Sequence, residues 1–139
     1  MITQTFTESH RTQGRNDCVD ITGMVQQAVG RAKIRNGIGT AFVTGSTASV
    51  TTIEYEPELV RDLKEAVRRL FPEGLRYAHH EKAGDDNGFS HLRASFIGPS
   101  LSIPIVDGHL QLGTWQQVVL IDSDTHPRTR AYLIHVMGE

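Results

Sequence analysis

The stretch from residue 57 to 70 constrains this chain most, because few structures other than an amphipathic helix accommodate it. Pro57 suits a first helical turn, where its missing N–H costs nothing. Leu59, Leu63, Val67 and Leu70 then recur at helical spacing and predict the buried face. Glu56 and Glu58 complement the positive N-terminal end, a capping role that accounts for both, and Pro72 and Gly74 stop the helix.

The flanking segments follow from the same reasoning. Residues 2–7 alternate with β-branched enrichment and predict a strand. Asp20 or Thr22 reads as the N-cap of a first helix whose stripe is Ile21, Val25, Ala28 and Ala32. Arg31, Lys33 and Arg35 suit its C-terminal end, and Asn36-Gly37 supplies a stop. Strands are predicted over 38–44 and 48–54, joined at Thr44-Gly45-Ser46. After a polar, turn-rich segment at 78–90, short strands are predicted over 93–97, 101–105, 109–111, 115–122 and 129–137. Two helices followed by many strands imply an α+β fold: an antiparallel, sandwich-like sheet with helices on one side, in a single domain over 1–139. Strand edges in such a fold are often covered by a second copy.

Composition narrows the function classes. A net charge of −2 gives no electrostatic reason to expect nucleic acid or an anionic membrane as partner. With Cys18 as the one cysteine, neither an internal disulfide nor a thiolate metal cluster can form, which fits a reducing compartment. The first residues lack the features of a signal peptide, and no apolar run approaches the ~20 residues of a membrane span, so the expected location is the cytoplasm.

Chemistry concentrates between Tyr77 and His91, where His79, His80 and His91 accompany Glu81, Asp85, Asp86 and Asn87. Imidazole and carboxylate are the usual ligands of zinc, and histidine is the commonest proton carrier near neutral pH. A turn at Asp85-Asp86-Asn87-Gly88 would bring His79 near His91. The spacing matches neither a calcium-binding loop nor a His-Glu-x-x-His zinc helix, so a solvated turn with surface histidines stands beside the functional reading. Glu54 sits at a strand end from which a side chain can reach a cleft. Thr44-Gly45-Ser46-Thr47-Ala48 lacks the lysine and spacing of a phosphate loop and reads as a tight turn. Trp115, in Gly113-Thr114-Trp115-Gln116, is expected in the core. Arg128 and Arg130 share one face of the last strand, where paired guanidinium groups suit a phosphate or carboxylate, a solvated face or a subunit interface.

Together these residues resemble the YjbQ-like family, described as secondary thiamine-phosphate synthases. The likeness is carried by Thr47-Ala48, Glu54, Glu56-Pro57 with Asp62-Leu63, Tyr77-x-His79, Asn87 with His91-Leu92, Gly98-Pro99-Ser100, Pro104, Gly108, Gly113-Thr114-Trp115-Gln116 and Pro127-Arg128-x-Arg130. The resemblance implies a homotrimer with a site between subunits. It also implies a transferase that joins a pyrimidine diphosphate to a thiazole phosphate and releases pyrophosphate. His79, His91 and Glu54 would then be catalytic. Asn87, Gln116, Arg128 and Arg130 would bind the phosphorylated substrate. His79 and His91 would hold a divalent ion such as zinc or magnesium. The family pattern has His-Thr where this chain has Gly45-Ser46, and asparagine where it has Ile53. His80, at a position commonly asparagine, is the candidate replacement for the missing imidazole. The alternative is a non-catalytic, ligand- or metal-binding homotrimer.

Overall fold

A computed structural model describes the backbone of residues 1–139, and the side chains of all but residues 82 and 83. Eight strands and four helices follow in the order β1 (Ile2–Thr12), β2 (Asp17–Asp20), α1 (Thr22–Ala32), β3 (Gly37–Val43), β4 (Ala48–Ile53), α2 (Pro57–Leu70), α3 (Ala78–Ala83), α4 (Gly88–Ile97), β5 (Ser100–Val106), β6 (His109–Leu110), β7 (Gln117–Asp122) and β8 (Arg128–Gly138). The strands form two antiparallel sheets, one ordered β1-β8-β3-β5-β6 and the other β2-β7-β4. The fold is therefore mixed α+β and sandwich-like.

The main core lies where the sheets and α1 meet. Val25, Ala28, Val29 and Ala32 of α1 pack with Ala41 and Val43 of β3, Val50 of β4, Ile103 and Ile105 of β5, Val118 and Leu120 of β7, and Tyr132, Ile134 and Val136 of β8. Burial of each large aliphatic side chain contributes about 1.5–3 kcal/mol before its ordering cost. A second, smaller cluster packs Cys18, Val119 and Ile121 against Val60 and Leu63 of α2 and Ile97 of α4. The small sheet is thus covered on both faces, which explains why Val118-Val119-Leu120-Ile121 is continuously apolar rather than alternating.

Several expectations need correction. The predicted strand over 93–97 is the last part of α4, and the polar segment 78–90 contains the short α3. The buried positions of α4 are Gly88, Phe89, Ser90, Arg93 and Ala94, a helical spacing that a buried serine and arginine disguise in a hydropathy reading. The first helix ends at Ala32, with Lys33 in a left-handed conformation at φ 57°, ahead of the expected stop at Asn36-Gly37. In α2, Val67 is buried as expected, but Leu70 is 71% exposed at the helix end. Trp115, expected inside, is 72% exposed. Glu56 does cap α2: its carboxylate accepts hydrogen bonds from Leu59 N at 2.6 Å and Glu58 N at 3.1 Å.

Candidate functional site

One end of the molecule gathers the close of β1, the 44–47 turn, the close of β7, the start of β8 and the N-terminus of α4. Thr12, Thr47, Asp122, Asp124 and Arg130 are all buried there. The Arg130 guanidinium donates from Nε to Asp122 Oδ2 at 2.8 Å and from Nη2 to Asp122 Oδ1 at 2.8 Å. Its Nη2 also reaches Thr47 Oγ1 at 2.5 Å, and Thr12 Oγ1 donates to Asp122 Oδ2. Thr47 Oγ1 in turn donates to Asp124 Oδ2 at 3.0 Å, beside Arg128 Nη1 at 3.1 Å, while Asn87 Nδ2 donates to Asp124 Oδ1 at 3.3 Å. Charges so deeply buried need such partners, because desolvation without them costs several kcal/mol per ion. Burial opposes ionisation of Asp122, but hydrogen bonds from Arg130 and Thr12 outweigh it and hold its carboxyl below the usual range. Asp124 is depressed likewise: burial is overcome by bonds from Thr125 N, Asn87 and Thr47.

Gly45 completes this arrangement. A Cβ built there would lie 2.8 Å from Arg130 Nη1, so the guanidinium occupies the space a side chain at position 45 would need. The turn itself is as expected, and glycine is what lets Arg130 close over it.

The histidines lie beside this network. His79, on α3, and His91, on α4, stand edge to face with ring centroids 4.7 Å apart. The two are brought together as expected, but by the connection between α3 and α4 over 84–87 rather than by a turn that includes Gly88, which begins α4. His91 lines two clefts, one of about 220 Å³ with Gly45, Ser46 and Ser95, and one of about 420 Å³ with Tyr77 and His79. His79 Nε2 lies 3.6 Å from Asp85 Oδ2. His80 faces the backbone instead, where its Nε2 accepts the Gly88 N–H at 2.8 Å and braces the start of α4. Asn87 Oδ1 and Ser90 Oγ are buried with no protein partner among the described residues.

These donors fit a bound divalent ion only in part. Among the described residues no three histidine, cysteine, aspartate or glutamate side chains converge on one point. Since a zinc centre takes at least three protein ligands, His79 and His91 within one chain do not complete one, and His80 is committed elsewhere. Cys18 offers no reactive thiolate, as burial pushes its thiol up to about 11.

The remaining candidates sit apart. Glu54 follows the far end of β4, exposed, about 20 Å along the strand from Thr47 at ~3.3 Å per residue. Gln116 belongs to that far end, where its Nε2 donates to Thr52 Oγ1 at 3.2 Å and its Oε1 accepts from Gly113 N at 3.0 Å. It borders a cleft of about 300 Å³ with Thr51, Ser102 and Gln111. One chain therefore unites His79, His91, Asn87 and Arg128 around the buried Arg130, and leaves Glu54 and Gln116 elsewhere. Reading the sequence for chemistry missed Asp122 and Asp124. Their signal was an Asp-x-Asp directly after the apolar run Val118-Val119-Leu120-Ile121, with Arg128 and Arg130 a short turn beyond.

Comparison with known proteins agrees with this architecture. Residues 7–139 match the family described as UPF0047 protein YjbQ-like. A UPF0047 protein of Methanothermobacter thermautotrophicus is 36% identical over 129 residues, covering 93% of this chain and 88% of that one. A UPF0047 protein of Methanocaldococcus jannaschii is 30% identical over 140 residues, covering 100% and 98%. Among solved structures, a hypothetical protein from Aeropyrum pernix superposes with a TM-score of 0.91 at 34% identity, covering 98% of this chain and 99% of that one. A YbjQ-like protein of unknown function from Sulfolobus solfataricus gives 0.89 at 29% identity, covering 99% of both. The chain belongs to the UPF0047 YjbQ-like family.

Proposed function

We propose that this member of the family is a transferase acting on small phosphorylated molecules, with the His79–His91 pair as its reacting centre. The thiamine-phosphate synthase reaction is the specific form we adopt. The observation that carries the reading is the approach of the two imidazole rings, 4.7 Å between centroids, with both lining one cleft and His91 lining a second. In that reaction the thiazole nitrogen attacks the pyrimidine methylene carbon, the carbon–oxygen bond breaks, and both electrons leave with pyrophosphate. No proton need move for the bond change itself. The demand on the protein is to hold and neutralise the departing diphosphate while the nitrogen is aligned.

The residues divide that work. In this reading His91 donates a hydrogen bond to the leaving oxygen, and the nearness of His79 supports that role. Arg128 keeps 43% of its side chain exposed and supplies a positive charge at the rim. Arg130 is spent on Asp122, so its part is to position the 44–47 turn and Asp124 rather than to meet substrate. Asn87, bonded through Nδ2 to Asp124, braces the wall of the site, with its buried Oδ1 unpartnered among the described residues. Glu54 and Gln116 reach this pair only if another copy of the chain supplies them, so a homotrimer is part of the proposal. A non-catalytic, ligand-binding trimer is the competing reading, favoured by that separation of Glu54 from the histidines.

The deciding experiment incubates the purified protein with the pyrimidine diphosphate and the thiazole phosphate and follows thiamine phosphate. Product formation that drops at least about a hundredfold in His91→Ala supports the proposal, in line with removal of one group that stabilises developing charge. Absence of product above a mock preparation would leave the binding reading in its place.

A further inference from the structure

The face of α4 turned away from the histidines holds a buried positive charge that makes no direct ion pair among the described residues, with Glu73 acting on it only at a distance. Arg93 is two residues from His91, so the two project to opposite sides of the helix. It is 1% exposed, and no acidic side chain among the described residues lies within ion-pair distance of it. Its Nε and Nη2 donate to Phe71 O at 3.2 and 2.8 Å, capping the C-terminal end of α2, and its guanidinium lies 4.8 Å over the Phe89 ring. Nη1 has only the long 3.5 Å contact to Asn16 Oδ1.

Beside Arg93 is a cleft of about 440 Å³ lined by Arg15, Asn16, Arg68, Pro72 and Glu73. The turn carrying Arg15 and Asn16 is strained: Gly14, Arg15 and Asn16 follow one another with φ of 73°, 54° and 68°. Left-handed conformations at non-glycine residues cost on the order of 1 kcal/mol each and persist only where other contacts impose them. Here Arg15 N and Asn16 N are tied to Asp124 O and Asp122 O, both at 2.7 Å. The turn thus holds one arginine and one buried amide in the lining of the cleft that Arg68 also borders. Glu73 is the one acid in this lining, and it holds Arg15 loosely at 3.3 Å with both side chains about half exposed or more. Arg68 is shared with Glu65 at 2.9 Å on the outer surface of α2.

We propose that this cleft is a second binding site, separate from the histidines, that takes a phosphate group, either free or at the end of a small phosphate ester. Arg15 and Arg68 grip the anion from within the lining, with Asn16 as donor and the buried charge of Arg93, which has no direct ion pair among the described residues, behind them. Glu73 swings out as the anion displaces it from Arg15. A tetrahedral oxyanion suits guanidinium donors better than any cation or apolar ligand would suit this lining.

Titration of the intact protein with inorganic phosphate at low ionic strength, read by calorimetry and by amide chemical shifts, tests the proposal. Saturable binding is expected, with shifts at residues 14–16 and 71–73. It persists in His79→Ala/His91→Ala, which keeps this result distinct from the fate of the proposed transferase. Arg15→Ala and Arg68→Ala, both largely exposed and so tolerated by the fold, each weaken it roughly tenfold or more. Glu73→Gln tightens it. A phosphate ester that binds more tightly than inorganic phosphate would identify the esterified form as the ligand. No binding by the wild type, or equal binding by Arg15→Ala/Arg68→Ala, overturns the proposal.

Discussion

Asp122 and Arg130, eight residues apart across the β7–β8 connection, form a two-pronged ion pair with both bonds at 2.8 Å and neither residue more than 4% exposed. The pair ties the close of one sheet to the start of a strand in the other, and Thr12 and Thr47 complete its shell. It is the polar counterpart of the apolar core at this end of the molecule.

Breaking the pair leaves a buried charge without a partner. Arg130→Met is therefore expected to lower stability by about 3–5 kcal/mol, and Arg130→Lys to restore only part of it, since an ammonium cannot bond both carboxylate oxygens in parallel. Urea unfolding measures both. A loss under about 1 kcal/mol in Arg130→Met would contradict the importance given to the pair.

Position 45 depends on the same guanidinium. Because Asp122 and Thr47 pin Nε and Nη2, Nη1 cannot retreat from a new Cβ 2.8 Å away. Gly45→Ala is expected to cost about 1–3 kcal/mol in the wild type, an overpacking penalty. In an Arg130→Met background it should cost much less, and the double-mutant cycle reads the coupling. Equal costs in the two backgrounds would show that some other contact sets the glycine.

Acid should unfold the protein through these carboxylates. Asp122 and Asp124 have folded pKa values held below the ordinary aspartate value of about 3.9. Their stabilisation is therefore fully present above that value and is lost as pH falls through the lower, folded values. Urea midpoints should change little from these two groups between neutrality and about pH 5, then fall below about pH 4. Asp122→Asn starts less stable and should show a shallower acid loss. A variant that keeps the full wild-type acid slope would rule out Asp122 as a contributor.

His80 is assigned to the backbone rather than to chemistry. His80→Ala leaves the Gly88 N–H without its acceptor and is expected to cost about 1 kcal/mol. Amide exchange at Gly88 and along the first turn of α4 should speed up. Unchanged exchange with lost product formation would instead make His80 a reacting group.

Much of the fold was legible because it is periodic. Pro57–Leu70 announces itself by its proline, its caps and its stripe, and β4, β5, β7 and β8 lie within a few residues of their predicted places. α4 was hidden for a physical reason: Ser90 and Arg93 occupy its buried face, and a hydropathy reading counts them as outside. Trp115 was misplaced because large aromatics are usually inside, and nothing local says that this turn projects outward.

The site divides along the same line. Local sequence determined that the chain returns between α3 and α4 and draws His79 to His91, since only a dozen residues separate them. The partners of Arg130, the emptiness required at Gly45, and the distance of Glu54 and Gln116 from the histidines were decided only in three dimensions. Apolar residues declare their burial by repeating at the period of a helix or strand. A buried hydrogen bond between residues 47 and 130, or an arginine buried at 93 with no direct ion pair among the described residues, repeats nothing, and so it exists only once the sheets have been packed together.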